Sequence, residues 1–161
     1  MKKKKQEKIL FFVFIILVII IISLFFLLYS PQSNTYSFND FKFTLNIPTS
    51  YQIEEQFTSV ILKNPKGEII IDKINTNYEN IQDYLTNLEK KNKIVITNQK
   101  TLVINNINSL IAFIEHPISR LPREKAYFYY PTNWTIYSLS TSSEVLFDDL
   151  DRIARSFRYT P

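Results

Sequence analysis

The 161-residue sequence contains no cysteine, one glycine and one histidine, and each scarcity removes a class of chemistry. Without cysteine there are no disulfides, no thiolate ligands and no site for lipoprotein processing, so the fold must rest on its hydrophobic core. One glycine cannot supply a P-loop, a dinucleotide-binding fingerprint or the G-x-S-x-G turn of hydrolases. These absences favour a protein that is not an enzyme and that carries no cofactor.

The single histidine, His116, lies at the predicted end of a strand. A metal site needs several converging His, Cys, Asp or Glu ligands, and any Ser-His-Asp arrangement would have to use this same residue, so we predict neither metal ligands nor catalytic residues. The segment 115–125 nevertheless carries two prolines and several cations between two long strands, and such loops often bind ligands. The candidate ligand-binding residues are His116, Arg120 and Arg123; the alternative is an ordinary solvent-exposed connection.

Three aspartates, Asp148, Asp149 and Asp151, fall close together in the last predicted helix. Calcium normally takes six or more oxygens from a loop, whereas one helical turn offers three carboxylates. The i, i+4 spacing instead predicts solvent-exposed ion pairs of Asp148 with Arg152 and of Asp151 with Arg155.

Residues 9–29 form the one long hydrophobic run, interrupted only by Ser23. At about 1.5 Å per residue, a helix of this length matches the roughly 30 Å hydrocarbon core of a bilayer. Five lysines precede the run and the next basic residue is Lys42, so the positive-inside rule places the N-terminus in the cytoplasm. We predict a single-pass plasma-membrane protein with an extracytoplasmic C-terminal domain and a bilayer contact through residues 9–29.

A cleaved signal peptide is the alternative interpretation of this run. The apolar region of a signal peptide usually has about 7–15 residues and ends in a small-x-small cleavage site. The run here is longer, and residues 28–32 offer no such site. The sequence therefore favours an uncleaved signal anchor.

The net charge of +4 belongs to the first eight residues, which hold five lysines and one glutamate. From Ile9 onward, 14 basic residues balance 14 acidic ones. Nucleic-acid binding needs a basic patch on the folded domain, whereas lysines beside a membrane span attract anionic headgroups at about 1 kcal/mol each. We therefore predict no nucleic-acid partner.

The chain divides into a basic cytoplasmic stub at 1–8, the anchor at 9–29, a polar linker at 30–35 and a domain at 36–161. Alternating hydrophobicity from Phe41 to Ile47 predicts a strand, and a turn at Asn64–Gly67 predicts a hairpin in which Gly67 takes a positive φ. Further strands are predicted at 94–96, 102–104, 107–114, 126–130 and 134–139.

Two amphipathic helices are predicted, each with a capping box at its start. Thr76 and Glu79 mark the first, and Thr141 and Glu144 mark the second. Several strands are apolar on both faces, which requires a sheet that is covered on both sides. The predicted fold is α/β, an αβα sandwich with a largely antiparallel sheet.

This layout resembles the PsbP-like family over roughly residues 36–159. The first landmarks are an aromatic strand that ends at Pro48 and is followed by Tyr51, and a helix after a hairpin. The next is the strand that begins at Ile107. The last is the ending Ile153-Ala-Arg-Ser-Phe-Arg158, which is similar to the family's I-x-x-S-F-[R/K]. Tyr51 stands where the family has Trp, and Asn108 where it commonly has Gly. The family includes extrinsic subunits of photosystem II and bacterial exported proteins, so the resemblance implies an αβα fold rather than an activity.

Together these features predict a membrane-anchored extracytoplasmic binding or assembly module whose partner is another envelope protein. The alternative is a receptor domain for a small ligand or a metal, with a pocket near the 115–125 loop. A flat exposed apolar patch favours the first, and a closed pocket with converging polar groups favours the second.

Overall fold

A computed structural model describes residues 14–24, 32–119, 121–132 and 134–161, which belong to two units divided between Gln32 and Ser33. In the first unit, residues 14–24 are helical and every one of them is exposed. Within the described ranges, no helix combines the length and the hydrophobicity needed to cross a membrane. The predicted span 9–29 is longer than this described helix, and its residues 9–13 and 25–29 lie outside the described residues.

The second unit, Ser33–Pro161, contains ten strands and two α-helices among its described residues. The strands are β1 (Ser33–Phe38), β2 (Phe43–Pro48), β3 (Gln52–Glu55), β4 (Ser59–Asn64), β5 (Gly67–Asn75), β6 (Val95–Ile104), β7 (Ile107–Glu115), β8 (Glu124–Thr132), β9 (Thr135–Thr141) and β10 (Arg158–Tyr159). The helices are α1 (Ile81–Asn92) and α2 (Phe147–Arg155), with a 3₁₀ turn at Glu144–Leu146 before α2. Strand β1 begins inside the segment 30–35 that the sequence assigns to the linker.

The described strands form two sheets, and every pairing between them is antiparallel. The larger sheet has the order β3-β4-β5-β9-β8-β7-β6, and the smaller has the order β1-β2-β10. The antiparallel α/β prediction is confirmed. The prediction of a single sheet is wrong, because β2 pairs with β1 and with the chain's last strand instead of joining the larger sheet.

Each face of the seven-stranded sheet is covered by a different layer. On one face, Ile81 and Leu85 of α1 belong to a core cluster with Leu110, Phe128 and Ile136. On the other face, α2 and the small sheet together bury a larger, aromatic cluster. The sheet is therefore covered on both sides, as its apolar runs predict, but one cover combines a helix with a second sheet.

The ring of Phe157 lies at the centre of the aromatic cluster. Its centroid is 4.2 Å from that of Tyr129 in a stacked arrangement, 5.4 Å from that of Phe43 and 5.3 Å from that of Tyr137. Three of these residues lie on β2, β8 and β9, and Phe157 follows the last residue of α2 by two positions, so the cluster joins the two sheets next to the end of the helix. Aromatic pairs at these distances add about 0.5–1.5 kcal/mol each beyond the area that they bury.

Gly67 is the first residue of β5, directly after the turn from β4, and its φ of 141° confirms the predicted positive φ. A Cβ atom at this position would lie 3.0 Å from Ser143 Cβ. The turn therefore needs glycine both for its backbone conformation and for the close approach of residue 143.

The predicted capping box of α1 is wrong. Asn80 is the N-cap, and its side-chain oxygen accepts a hydrogen bond from the backbone N–H of Asp83 at 2.9 Å. Thr76 instead accepts from Tyr78 N through its hydroxyl and donates its own N–H to the Trp134 carbonyl. Its backbone is thus held beside the sheet, five residues before the helix begins.

The predicted capping box of α2 is also wrong. The hydroxyl of Thr141 donates to the Glu68 carbonyl at 2.6 Å and accepts from Ser143 N at 3.2 Å. Glu144 begins the 3₁₀ turn, and α2 starts at Phe147 without a side-chain cap. Thr141 therefore closes strand β9 rather than opening a helix.

Strand β6 is irregular near its middle. Its register against β7 shifts between Thr97 and Lys100, and Asn98 has a φ of 52°. Asparagine tolerates this left-handed conformation better than most residues. The strand is therefore divided into two paired segments by a bulge.

Candidate functional site

His116 follows strand β7 and lines a shallow pocket of about 230 Å³. Its Nε2 atom is 3.9 Å from Glu124 Oε2, and the pocket wall also includes Glu68, Ser140 and Thr141. The histidine therefore shares a small pocket with two glutamates, with three hydroxyl residues (Ser140, Thr141 and Ser142), and with apolar residues such as Ile70 and Leu121.

Arg123 makes its contacts elsewhere. Its guanidinium carbon lies 3.8 Å from the centre of the Phe113 ring, and its Nε is 3.6 Å from Glu115 Oε1. Phe113 packs edge-on against Phe147 of α2, so Arg123 belongs to the α2 side of the sheet. The stacked cation contributes about 0.5–1 kcal/mol at such a partly exposed position.

The structure thus separates the sequence-predicted binding residues. Phe113 and Glu115, the contacts of Arg123, share one face of β7. His116 instead contacts Glu124, whose partner Ile114 on β7 belongs to the core cluster on the α1 side. Arg120, the third candidate, lies outside the described residues.

The aspartates of α2 pair differently from the prediction. Asp149 makes an i, i+3 ion pair with Arg152 at 2.6 Å and accepts a hydrogen bond from the Tyr51 hydroxyl at 2.8 Å. Asp151 pairs with Lys125. Within the ranges that the structure describes, no three His, Cys, Asp or Glu side chains are grouped closely enough to hold a metal ion.

A polar network fixes α2 to the large sheet. Oδ1 of Asp151 is 2.6 Å from Lys125 Nζ and accepts a hydrogen bond from the Tyr127 hydroxyl at 2.8 Å. The hydroxyl of Tyr129 donates to the Ala154 carbonyl at 2.6 Å. Burial, and then the neighbouring carboxylates, raise the pKa of Tyr51 and Tyr127, so both hydroxyls remain donors at neutral pH.

A larger groove of about 1060 Å³ lies where β6, β7 and β8 pass the start of α1. Side-chain amides from three parts of the fold line it, together with the rings of Tyr130 and Tyr159. The amides belong to Asn80, Gln82, Asn105, Asn106 and Asn108. Two charged residues, Glu79 and Arg158, are among its described lining residues.

Sequence reasoning did not identify this groove. The signal that was present is the run Asn105-Asn106-Ile107-Asn108, which surrounds the turn between β6 and β7. Gln82, Tyr130 and Arg158 join it only through tertiary structure. They are 26, 22 and 50 residues from Asn108 along the chain, so the sequence pattern alone does not connect them.

Several large apolar side chains of the domain are exposed. They are Phe57, Val95, Val103, Ile118, Leu121, Trp134 and Val145. Phe57 is fully exposed in the β3–β4 turn, and Trp134 is 66% exposed in the β8–β9 turn. These two aromatic rings are the most conspicuous apolar features of the described surface of the domain.

The chain is similar in fold to solved structures of low sequence identity. Cyanobacterial PsbP (CyanoP) from Synechocystis superposes with a TM-score of 0.55 at 10% identity, covering 81% of this chain and 94% of CyanoP. Mog1p, a Ran-binding protein from Saccharomyces cerevisiae, superposes with a TM-score of 0.54 at 9% identity, covering 81% of this chain and 96% of Mog1p. No protein-family model and no curated protein sequence matches the chain.

These similarities confirm the PsbP-like resemblance at the level of fold. At about one identical residue in ten, they carry no functional residue across to this chain. The second similar structure also shows that the architecture is not confined to PsbP proteins.

Proposed function

We propose that this protein is a membrane-anchored extracytoplasmic module that binds another envelope protein and has no catalytic activity of its own. The observation that carries the proposal is the apolar run 9–29, which follows five lysines and ends just before a folded domain that begins at Ser33. A run of this length and flanking charge matches a bilayer span with its N-terminus in the cytoplasm.

The fold supports a binding role. One protein of similar fold, Mog1p, is a Ran-binding protein, so this architecture serves protein binding in at least one setting. The similarity to Mog1p is one of fold alone, so it does not identify the partner of this chain. The balanced charge from Ile9 onward argues against nucleic acid and favours a partner recognised by apolar and hydrogen-bonding contacts.

Phe57 and Trp134 are the positions at which we expect a protein partner to bind. Single exposed apolar residues are common on protein surfaces, but aromatic rings are enriched at protein interfaces. Both residues lie in turns between strands, where a ring can enter a partner's pocket without changing the sheet.

The test is site-specific cross-linking of the full-length protein in its native membrane. A photo-reactive residue replaces Phe57 or Trp134, and a matched variant carries it at Gln99, an exposed polar position on β6. We expect one protein to be captured in stoichiometric amounts from at least one aromatic position and not from residue 99. Mass spectrometry identifies the adduct, and the same anchor fused to an unrelated domain serves as the background control.

Two results would contradict this proposal. Recovery of the uncross-linked protein alone from both aromatic positions would contradict protein binding. Release of the full chain from membranes by alkaline carbonate would contradict the anchor, independently of any partner.

The pocket beside His116 supports a second candidate, a receptor for a small ligand. It brings a histidine, two glutamates and three hydroxyl residues around about 230 Å³, which is a small volume for a ligand site. A ligand that raises the unfolding temperature of the full chain, but not that of a His116→Ala variant, would favour this function. Equal increases of the unfolding temperature in both proteins would contradict a ligand site at His116.

A further inference from the structure

We propose that the amide-lined groove between α1 and the β6–β7 hairpin is a binding site for a neutral oligosaccharide. The groove belongs entirely to the domain, so this inference is independent of the anchor and of the protein partner proposed above. At about 1060 Å³, its volume lies just above the roughly 300–1,000 Å³ range that is typical of ligand sites.

The groove exists because α1 covers only part of its face of the sheet. The helix begins at Ile81, and the lining includes its first residues and the segment just before it. Beyond this helix end, β7 and β8 continue through Asn108 and Tyr130, which are directly paired. The uncovered end of the sheet forms one side of the groove, the turn at Asn105–Asn106 forms a second, and residues 158–160, which include strand β10 of the small sheet, form a third.

The lining offers hydrogen bonds of both kinds without strong charge. A side-chain amide presents two donor hydrogens and an acceptor oxygen, which suits a hydroxyl that donates and accepts at once. Asn80 is used as the helix cap, and Asn105 donates to the carbonyls of Arg155 and Phe157. Gln82, Asn106 and Asn108 are exposed, and their side chains make no hydrogen bond to another described residue.

The balance of charge selects against ionic ligands. Glu79 and Arg158 are of opposite sign, so the groove presents no field that would concentrate phosphates or cations. The apolar surface of the groove comes mainly from two half-buried rings, Tyr130 and Tyr159, because Ile81 and Ile107 in its lining are buried in the core. A pyranose ring combines a C–H face, which packs on such surfaces, with hydroxyls around its edge, which the amides reach.

An extended peptide fits this site less well. Peptides that bind sheets usually pair with the backbone of a free edge strand. The amides of this groove come instead from a helix start, from a turn and from β7, which is paired on both sides.

The test measures sugar binding to the full-length protein in lipid nanodiscs. Chitotetraose, cellotetraose and maltotetraose are screened by saturation-transfer difference NMR, and the dissociation constant of each binder is determined by calorimetry. We expect at least one tetrasaccharide to bind, and we expect its dissociation constant to rise at least fivefold in Gln82→Ala and in Asn108→Thr. Both positions are exposed, and each replacement suits its helix or strand.

The matched control is Asn87→Ala, which removes an exposed amide from the same helix but lines a different cleft. It should leave sugar affinity unchanged. Absence of saturation transfer for all three sugars at millimolar concentration would overturn the proposal, as would binding that all three variants leave unaltered. Saturable binding of a blocked tetra-alanine peptide or of inorganic phosphate at Asn108, without sugar binding, would overturn the ligand class.

Discussion

Lys125 has only about a tenth of its side chain exposed, and one carboxylate compensates its charge. Asp151 holds the ammonium group at 2.6 Å and also accepts the Tyr127 hydroxyl. Removal of the acid leaves a nearly buried cation and a buried hydroxyl without this acceptor. In domain 33–161 we expect Asp151→Ala to lower the free energy of unfolding by about 2 kcal/mol, measured by urea denaturation.

The control for this variant is Asp148→Ala, which removes an exposed acid from the first turn of the same helix. Its cost should be about 0.5 kcal/mol, from the helix dipole alone. Adding Lys125→Met to Asp151→Ala should recover part of the larger loss, because the uncompensated cation is then gone. Equal losses for the two aspartates would contradict this interpretation of the network.

The tyrosine hydroxyls predict how stability responds to alkaline pH. Burial raises the pKa of Tyr51, Tyr127, Tyr129 and Tyr137 above their ordinary value near 10. The unfolded chain therefore releases these protons first, so stability is full below about pH 10 and falls as pH rises further. Urea midpoints at pH 9, 10 and 11 should fall less steeply in Tyr51→Phe than in the unaltered domain. If the urea midpoints of both proteins fall equally with pH, ionisation of the Tyr51 hydroxyl is not linked to folding.

Gly67 is required both by its backbone conformation and by the space beside it. Its φ of 141° lies in a region open essentially to glycine, and a Cβ would also meet Ser143 at 3.0 Å. We expect Gly67→Ala to destabilise the domain by about 1–3 kcal/mol, whereas Lys66→Ala in the same turn should change stability by about 0.5 kcal/mol or less. Thermal unfolding followed by circular dichroism distinguishes the two, and similar midpoints would contradict the strain.

At the scale of elements, the start of α1 distinguishes the observed cap from the predicted one. Asn80 caps the helix through Asp83 N, and Glu79 lies outside it. We expect Asn80→Ala to cost about 1 kcal/mol and Glu79→Ala to cost less than about 0.5 kcal/mol, both by urea denaturation. A larger loss of stability for Glu79→Ala than for Asn80→Ala would instead support the predicted capping box of Thr76 and Glu79.

The sequence identifies the elements whose hydrophobic pattern is strong. The apolar runs of β5, β7 and β8 and the stripe of α2 lead directly to buried strands and a buried helix face. Strands β1, β3 and β10 carry little signal, because their residues are mostly exposed or, in β10, only two in number. Their pairing is decided by distant partners, so the division into two sheets does not follow from local pattern.

The candidate site shows the same limit. His116 and Arg123 lie close together in a basic loop, but strand alternation directs their contacts to opposite faces of the sheet. The groove, by contrast, gathers residues from four separated segments of the chain. Such a site depends on where α1 stops covering the sheet, which is a property of packing rather than of any motif.

At the scale of the molecule, the division at Ser33 predicts an independent domain. Residues 33–161 contain both core clusters, and the two sheets and two α-helices enclose them. We expect this segment, produced without residues 1–32, to unfold in one cooperative transition by circular dichroism and by tyrosine fluorescence. Non-coincident transitions would contradict two-state unfolding, and the absence of a cooperative transition would contradict an independent domain.

The bulge in β6 has a consequence for how copies of the domain behave when crowded. A long, regular outer strand offers a row of open backbone groups that another chain can extend into an aggregate. In β6, the irregularity at Thr97–Lys100 leaves only short regular stretches, and at the opposite margin β3 has four residues, two of them glutamates. Both edge strands of the large sheet are therefore poor templates for pairing with another copy of the domain. A variant in which β6 is regular over all ten residues should be prone to aggregation.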